Sequence, residues 1–378
     1  MTSSDSTERH SPLHGQHVAA GASFTDFAGW QMPVRYSSDL AEHHAVRTAA
    51  GLFDLSHMAE IVILGPEAPE ALDYALAGKI SAVAIGQAKY SLLLGREGGI
   101  VDDLVAYRTG DDRFLIVANA SNRHVVAEQL RERCSLFDCQ VFDESDDLAL
   151  IAIQGPKAYE ILSQVPGVDV PGLAELKYYW SIPGTFKPAS EQHELLVART
   201  GYTGEDGFEL YVAPNVAPVL WDAILETGEG SGLVPAGLAS RDTLRLEAGM
   251  PLYGHELGLD TYPSQAGLGR VVNLKKEGDF VGRAAVEAGV PEESRILVGL
   301  VSEGKRAGRA EYLVFDGAVE VGIVTSGALS PTLGYPIAMA YVDAASATVG
   351  SELFIDVRGT RAPASVVALP FYKRETRS

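Results

Sequence analysis

The stretch Gly98-Gly99-Ile100-Val101-Asp102-Asp103-Leu104 separates two apolar segments and decides how this part of the chain folds. Lys89 to Leu94, Asp103 to Arg108 and Arg113 to Asn119 are short and rich in Val, Leu, Ile and Tyr, and Gly or Asp residues bound them. That pattern is typical of β-strands. Consecutive strands with short turns predict an antiparallel meander.

The meander predicts a row of polar side chains on one face. A first turn centred on Arg96-Glu97 places Tyr90 opposite Asp103, and a second turn centred on Asp111 places Asn119 opposite Asp103. Neighbours in such a row have Cα atoms about 5 Å apart. The row combines a phenol, a carboxylate and an amide on a face that apolar side chains could have filled.

Two interpretations of this row are available. A lone pair of aspartates most often opens a strand at a solvated edge. Here the Gly98-Gly99 pair lets the backbone come close to a ligand, and three polar groups coincide in register. We therefore favour a functional site at Asp103.

Length and composition set the class of protein. The chain has 378 residues, of which 46% are hydrophobic and 21% charged, and it exceeds the usual limit of about 250–300 residues for a single core. We expect two or three domains of an ordinary globular protein. No apolar run approaches the ~20 residues of a membrane helix. Met1 to His10 is polar, so we predict a flexible tail rather than a signal peptide, and a cytoplasmic protein.

The formal net charge of −20 argues against nucleic acid and anionic membranes as partners. An anionic small substrate needs a local basic patch. Cys134 and Cys139 are the only cysteines, and their spacing fits neither a redox pair nor a metal-ligand set. We predict ordinary thiols and no metal site.

A repeated pattern within the sequence suggests two related α+β modules. Strand, Gly-Pro turn and helix follow one another at Ile61 to Ala68, and again at Leu148 to Gln164 with the glycine 90 positions later. From Arg295 onward six short strands with even spacing predict an all-β barrel or sandwich. We place the domains at 1–54 with 145–275, at 55–144, and at 276–378.

A second candidate site follows a glycine-rich hairpin. Leu195 to Thr200 and Phe208 to Val212 are strands on either side of Gly201-Tyr202-Thr203-Gly204-Glu205-Asp206-Gly207. Period-two alternation places Glu209 and Tyr211 on one face and apolar residues on the core face. A carboxylate at position 209 accepts two parallel N–H bonds, which an amino-pyrimidinone ring edge offers.

Two helices carry further polar groups. Arg241 and Arg245 share a face at i, i+4 spacing, which fits either a salt-bridged surface helix or recognition of an anion or carbonyl by guanidinium groups. Asp39 to Ala50, which contains His43 and His44, predicts a surface helix. Met58 is a candidate for an apolar wall.

Several motifs together resemble one family. They are GGIVDDL at Gly98 to Leu104, RTGYTGEDGFELY at Arg199 to Tyr211, SRDTLRLEAGMPLYGHEL at Ser240 to Leu257, TSGALSP at Thr325 to Pro331, and FAGWQMPVRY and LFDLSHM near the start. In this order and at this length the chain resembles the aminomethyltransferases (T-proteins) of the glycine cleavage system. The likeness runs from about Phe24 to the last strand.

The resemblance implies an α+β fold of three lobes in a cloverleaf. Two interleaved α+β lobes with antiparallel sheets and a C-terminal β-barrel or jelly-roll-like lobe would surround a central folate channel. The implied reaction transfers the methylene carbon of an aminomethyl-dihydrolipoyl arm, carried by the partner H-protein, to tetrahydrofolate as acceptor. The products would be 5,10-methylenetetrahydrofolate, ammonia and dihydrolipoyl H-protein.

The resemblance also implies roles for single residues. Asp103 matches the family's catalytic aspartate, because the family's Asp-to-Asn spacing equals that from Asp103 to Asn119. Its implied task is to position the N10 side of the folate and stabilise developing positive charge. Glu209 resembles the carboxylate at the pterin edge. The other implied cofactor-binding residues are Tyr90, Asn119, Val117, Met58, Tyr202, Arg241, Arg295 and Tyr372.

Two alternatives share this fold. One is a folate-dependent demethylase of a small methylated amine or sulfonium, which often occurs fused to an oxidoreductase domain that this sequence lacks. The other is a non-enzymatic folate-binding factor for iron–sulfur assembly with a reactive Lys-Gly-Cys-Tyr motif. Both cysteines here lie in other contexts, Arg-Cys-Ser and Asp-Cys-Gln.

Overall fold

The structure is a computed structural model that describes residues 8–291 and 293–374. Its strands are Arg9–His10 (β1), Ser23–Phe27 (β2), Trp30–Arg35 (β3), Ala50–Asp54 (β4), Ala59–Leu64 (β5), Ala88–Leu94 (β6), Ile100–Arg108 (β7), Arg113–Ala118 (β8), Gln140–Asp143 (β9), Ala149–Gln154 (β10), Val168–Asp169 (β11), Ser181–Phe186 (β12), His193–Ala198 (β13), Gly207–Val212 (β14), Leu233–Pro235 (β15), Arg295–Ser302 (β16), Leu313–Asp316 (β17), Val319–Leu329 (β18), Pro336–Asp343 (β19), Glu352–Val357 (β20) and Thr360–Val367 (β21). Residues 1–7 of the predicted tail lie outside the described part, whereas β1 already belongs to a small sheet with β2 and β3.

The helices are between 5 and 12 residues long. They are His14–Ala19 (α1), Asp39–Thr48 (α2), Ala68–Ala75 (α3), Arg123–Cys134 (α4), Ala158–Leu162 (α5), Ala217–Gly228 (α6), Leu238–Glu247 (α7) and Arg283–Ala288 (α8), with 3₁₀ turns at Ala120–Asn122, Leu173–Glu175, Glu229–Ser231, Gly269–Val271 and Ala344–Ser346. Among the described residues, none of the helices combines the length and the apolar character that crossing a membrane requires.

A seven-stranded sheet forms the first α+β unit, in the order β11-β12-β13-β14-β10-β4-β15. Its strands pair antiparallel, except that β15 runs parallel to β4. Phe208, Leu210 and Val212 of β14 are buried with Trp221 and other residues of α6. The predicted alternation along β14 is therefore confirmed, and Glu209 faces away from this core.

A five-stranded antiparallel sheet forms the second unit, in the order β6-β7-β8-β5-β9. Its residues enter the chain between β4 and β10, so the two units are interleaved in sequence. One face packs on α3 and α4. The other face meets the seven-stranded sheet, where Val62 and Val117 are buried with Leu150 and Tyr211. This junction between the sheets positions the site described below.

The C-terminal part is a closed antiparallel barrel of six strands, in the order β16-β19-β18-β17-β20-β21. The prediction of six short strands is confirmed. The sequence allowed a barrel or a sandwich, and the barrel is observed. Valine, leucine, isoleucine and alanine side chains fill its interior. The α+β class with antiparallel sheets and a C-terminal barrel is thus confirmed. The domain limits given above stay a prediction.

A buried polar cluster connects α2, α7 and a loop of the barrel. Arg47 donates to Glu205 and Glu247 at 2.9 and 2.8 Å. His43 lies fully buried, with its ring nitrogens 2.7 Å from Thr243 Oγ1 and 2.9 Å from Thr332 Oγ1. The prediction that α2 is a surface helix was therefore wrong on this face, because α2 supplies the polar contacts that join the barrel.

Candidate active site

Asp103 lies at the centre of a hydrogen-bonded group on β7. The Tyr90 hydroxyl donates to Oδ2 at 2.9 Å, and the Asn119 side-chain amide donates to Oδ1 at 2.9 Å. Burial raises the pKa of Asp103, while these two hydrogen bonds act in the opposite direction. The predicted grouping of phenol, carboxylate and amide is present, with the carboxylate as its acceptor.

The register of this group differs from the prediction at one strand. Leu92, and not Tyr90, is paired with Asp103, because the turn is centred on Glu97, where Leu94 pairs with Ile100, and because a β-bulge between Leu93 and Leu94 inserts Val101 as an extra residue; each shifts the pairing by one residue. A shift of two residues keeps the same face, so Tyr90 still reaches the carboxylate. Between β7 and β8 the register is as predicted. Val105 pairs with Val117, so two residues back along β7 and two residues forward from Val117 bring Asp103 opposite Asn119.

The two glycines before β7 do not bring the backbone close to a ligand. A Cβ on Gly99 would lie 1.7 Å from the carbonyl oxygen of Leu259. The amide of Ile100 also donates to the carbonyl oxygens of Gly258 and Thr261, at 3.1 Å each. The interpretation that Gly98-Gly99 admits a ligand was wrong, because the close approach is made by another loop of the same chain.

Glu209 projects from β14 toward the five-stranded sheet. Tyr107 donates to its Oε2 at 3.2 Å, and Thr200 donates to the same oxygen. Tyr107 and Thr200 are also 3.0 Å apart at their hydroxyl oxygens. Because both donors reach Oε2, the second oxygen remains as an acceptor for a ligand.

Arg241 brings a cation to the same space from α7. Its guanidinium carbon lies 4.9 Å from the centre of the Tyr202 ring, a distance at which the cation and the ring attract each other. Nη1 is buried and has no hydrogen-bond partner among the described residues. Burial lowers the pKa of Arg241, and Glu209 and Tyr202 raise it in part. Of the two open interpretations of this helix, recognition of a ligand fits Arg241.

Arg245, one turn later on α7, behaves differently. It is 1% exposed and donates to Asp242 at 2.9 Å, to Glu256 at 3.0 Å and to Ser326 of the barrel at 2.8 Å. These contacts fix α7 against the barrel. Both arginines line the cavity described next, but Arg245 has its donors engaged by the protein, whereas Nη1 of Arg241 has no partner among the described residues.

These groups line one cavity of about 380 Å³. The predicted residues that line it are Asp103, Tyr90, Asn119, Val117, Met58, Tyr202, Glu209 and Arg241. His57 lines it as well, and burial lowers the pKa of this imidazole to about 4, so the ring is neutral near pH 7. Apolar and aromatic walls with a few converging polar groups are typical of small-molecule sites.

Arg295 and Tyr372 do not line this cavity. Arg295 lies on β16 of the barrel and donates to Asp343 at 3.0 Å. The ring of Tyr372 packs against Arg47, whose guanidinium carbon is 4.1 Å from the ring centre. The structure thus brings together eight of the ten predicted residues and places these two at the barrel and its contact with α2 and α7.

Two family models cover most of the chain. The first, described as GCVT N-terminal domain, matches residues 13–276, and the second, described as Glycine cleavage T-protein C-terminal barrel domain, matches residues 295–373. The chain belongs to the glycine cleavage T-protein family. The resemblance stated from the motifs is confirmed.

Relatives of the T-protein family match this chain along almost its whole length. An aminomethyltransferase of Cutibacterium acnes is 58% identical over 373 residues, which are 97% of this chain and 99% of the relative. One of Saccharopolyspora erythraea is 54% identical and covers 98% of this chain and 99% of its own. These relatives confirm that the chain is a transferase, an aminomethyltransferase.

A solved structure agrees with the fold. The crystal structure of glycine cleavage system aminomethyltransferase T from Bartonella henselae matches with a TM-score of 0.86 and 38% sequence identity. It covers 97% of this chain and 99% of the solved chain. Both α+β units and the barrel of this T-protein family member therefore have counterparts in an experimentally determined relative.

Sequence reasoning missed several residues of the site in this T-protein family member. Tyr107 of β7 and Thr200, which follows β13, hold Glu209, and Asp102 shares the side-chain amide of Asn119 with Asp103. The segment Met250 to Tyr253 lines the cavity directly after α7. Asp102, Thr200 and this last segment carried a signal, because each lies inside a quoted motif, whereas Tyr107 lies outside all of them. In the described part of the chain, no three acidic, histidine or cysteine residues are grouped to hold a metal ion.

Proposed function

We propose that the protein transfers the methylene carbon of an aminomethyl-dihydrolipoyl arm on H-protein to tetrahydrofolate, with release of ammonia. The products are 5,10-methylenetetrahydrofolate and dihydrolipoyl H-protein. The reaction balances, because the two N–H hydrogens that the folate loses appear on ammonia and on the freed thiol. Tetrahydrofolate supplies the two nitrogens, N5 and N10, that take up the carbon.

The observation that carries this proposal is that Asp103 and Glu209 face one cavity from two different sheets. Glu209 keeps one carboxylate oxygen for the paired N–H groups of a pterin edge. The buried Nη1 of Arg241 has no acceptor in the described part of the protein, so it suits an oxygen acceptor on the ligand. The residues present therefore fit a reduced folate.

Asp103 has the catalytic role in the proposed reaction. Its carboxylate is fixed by donors on both oxygens, from Tyr90 and from Asn119. A fixed negative charge stabilises positive charge that develops next to it, and it does so without reorganisation. Because burial raises the pKa of Asp103, this carboxyl can also hold the proton that a departing amine needs.

The remaining lining residues orient the ligand and exclude water from the cavity. Met58 and Val117 supply apolar surface, and Tyr202 supplies an aromatic ring beside the Arg241 guanidinium. These walls suit the flat pterin ring and the aliphatic lipoyl arm. The H-protein partner follows from the proposed reaction.

One assay tests the proposal. The purified protein is mixed with tetrahydrofolate and aminomethylated H-protein, and ammonia and methylenetetrahydrofolate are followed. We expect both products in equal amounts. Turnover on a free methylated amine, without ammonia from H-protein, would replace this function by the related demethylase.

The Asp103→Asn and Asp103→Ala variants test the assigned residue. We expect each to lose about 100-fold or more of the rate, while tetrahydrofolate still binds. Asp112→Asn is the matched control, because Asp112 is an exposed aspartate beside the neighbouring turn of the same sheet. Full activity of both Asp103 variants would remove this residue from the mechanism.

A further inference from the structure

Asp102, the residue before Asp103, is fully buried and does not line the cavity. Its carboxylate meets three donors. The backbone amide of Asn119 donates to Oδ2 at 3.1 Å, and the side-chain amides of Asn119 and Asn122 each donate to Oδ1 at 2.8 Å. Because Asp102 accepts a hydrogen bond in each of these three contacts, they favour its ionised form.

One amide group links the two carboxylates. Nδ2 of Asn119 lies 2.8 Å from Oδ1 of Asp102 and 2.9 Å from Oδ1 of Asp103. Successive side chains of a regular strand point to opposite faces. The β-bulge beside Asp102, together with the turn that begins after β8, lets both aspartates reach the same nitrogen.

The surroundings of Asp102 contain no compensating cation among the described groups that bear on it. Asp103 faces it from the same strand, Asn119 and Asn122 from the turn after β8, and Tyr253 from the segment after α7. Burial, and then the charge of Asp103, raise the pKa of Asp102 to about 7. Two carboxylates coupled in this way titrate as a pair rather than singly.

We propose that Asp102 is a positioning residue for the reaction. It fixes the Asn119 amide against Asp103, and its carboxyl group titrates together with that of Asp103. The inference rests on the proposed function, in which Asp103 faces the reacting atoms. Asp102 itself touches neither substrate nor cofactor and acts only through Asn119 and through its charge.

The Asp102→Asn variant tests this role by removing the charge at nearly constant shape. We expect kcat to fall about tenfold or more, because an amide at position 102 offers one acceptor oxygen where the carboxylate offers two, so the three donors of Asn119 and Asn122 cannot all be satisfied. We expect the upper titration of the pair, which belongs to Asp102, to be absent from the pH dependence of kcat, while the lower titration remains. Asp112→Asn again removes an exposed charge from the same sheet and should leave kcat and its pH profile unchanged.

A second variant leaves the carboxylates in place. Asn122→Ala removes one donor to Asp102 without altering the cavity lining. The lost hydrogen bond raises the pKa of Asp102, so we expect the upper titration of the pair to move to higher pH. This variant decides the question if Asp102→Asn does not fold.

A readout without turnover completes the test. In protein labelled with ¹³C at aspartate carboxyl carbons, the signals lost in Asp102→Asn and in Asp103→Asn identify the two groups. We expect the Asp102 signal to titrate at lower pH in Asp103→Asn than in the native protein, because the charge of Asp103 raises the pKa of Asp102.

An Asp102 signal that titrates at the same pH in Asp103→Asn as in the native protein, together with an unchanged pH profile in Asn122→Ala, would overturn the inference. Native protein that makes no ammonia from aminomethylated H-protein would instead overturn the proposed function. Because the carboxyl titration is measured without substrate, the two failures are distinguishable.

Discussion

The Tyr90 hydroxyl reaches Oδ2 of Asp103 at 2.9 Å although the two residues are not paired across their strands. Tyr90 is paired with Val105, and Asp103 is its diagonal neighbour on the same face. Diagonal neighbours in antiparallel strands are within reach of aromatic side chains. The contact therefore depends on the length of the tyrosine side chain, and a shorter donor at position 90 could not make it.

Tyr90→Phe removes this donor and keeps the ring. The hydrogen bond from Tyr90 lowers the pKa of Asp103 against the effect of burial. Its loss should raise the pKa of Asp103 by about one unit, since a hydrogen bond to a charged group contributes about 1.5–3 kcal/mol. We expect the corresponding limb of the pH–kcat profile to move to higher pH. Tyr335→Phe, at a partly exposed barrel tyrosine, should not move it.

Glu209→Gln tests recognition of the ligand edge. A neutral amide offers one acceptor and one donor group where two acceptors are needed, so we expect the Kd for tetrahydrofolate to rise about 10- to 100-fold. The kcat at saturating folate should change by no more than about twofold, because binding is the role assigned here. Isothermal titration and steady-state kinetics measure the two effects. Glu194→Gln, an exposed residue on the adjacent strand β13, is the control, and equal Kd values in both variants would contradict the assignment.

Arg241→Met separates stability from binding. The guanidinium Nη1 is buried without an acceptor, and an unpaired buried charge disfavours the folded state. Without ligand we expect a melting temperature equal to or above that of the native protein. With tetrahydrofolate the native protein gains stability in proportion to ligand occupancy, and this gain should be largely lost in the variant. Arg270→Met, at an exposed arginine, should keep the ligand-induced shift; loss of that shift in both variants would mean that the effect is not specific to position 241.

Glu60→Gln tests a buried acid behind the cavity. Glu60 is 0% exposed, and neither carboxyl oxygen has a hydrogen-bond partner among the described residues. Burial raises its pKa well above the ordinary value, so the folded protein keeps a proton that the unfolded chain loses above about pH 4.3. Stability from this group is therefore present at low pH and is lost as the pH rises toward the folded pKa.

The variant removes that dependence on pH. We expect the stability of Glu60→Gln relative to the native protein to increase between pH 4 and pH 8, as measured by urea unfolding at several pH values. Glu128→Gln, at an exposed residue of α4, should show a difference that does not depend on pH. A difference for Glu60→Gln that also stays constant would show that Glu60 is ionised in the folded protein.

The parts of the fold that the sequence predicted are those set by neighbours along the chain. The meander from β6 to β8, the alternation along β14 and the six strands of the barrel all follow from local periodicity and turn residues. The register of Tyr90 was wrong because the turn is centred on Glu97 and because a bulge inserts one residue, Val101, and the sequence marks neither of them. An error of two positions preserved the face, so the site was still found.

Contacts between distant parts of the chain were not predictable in this way. His43 binds Thr243, which is 200 positions away, so its burial depends on how α2 meets α7. Gly99 is needed because Leu259 passes close to it. Tyr107 supports Glu209 from the other sheet. Each of these relationships follows from the packing of units and leaves no periodic signal in either segment.

The interleaving of the two sheets has a consequence for biosynthesis. Strand β4 lies between β10 and β15, both of which follow it by about a hundred residues or more along the chain. The five-stranded sheet has all its strands once residue 143 has left the ribosome, whereas the seven-stranded sheet waits until residue 235. A nascent polypeptide halted between these two points therefore carries one finished sheet and one incomplete sheet, in which β4 first waits for β10 and then keeps an open edge until β15 follows, and it is during this interval that the growing chain most needs protection from aggregation.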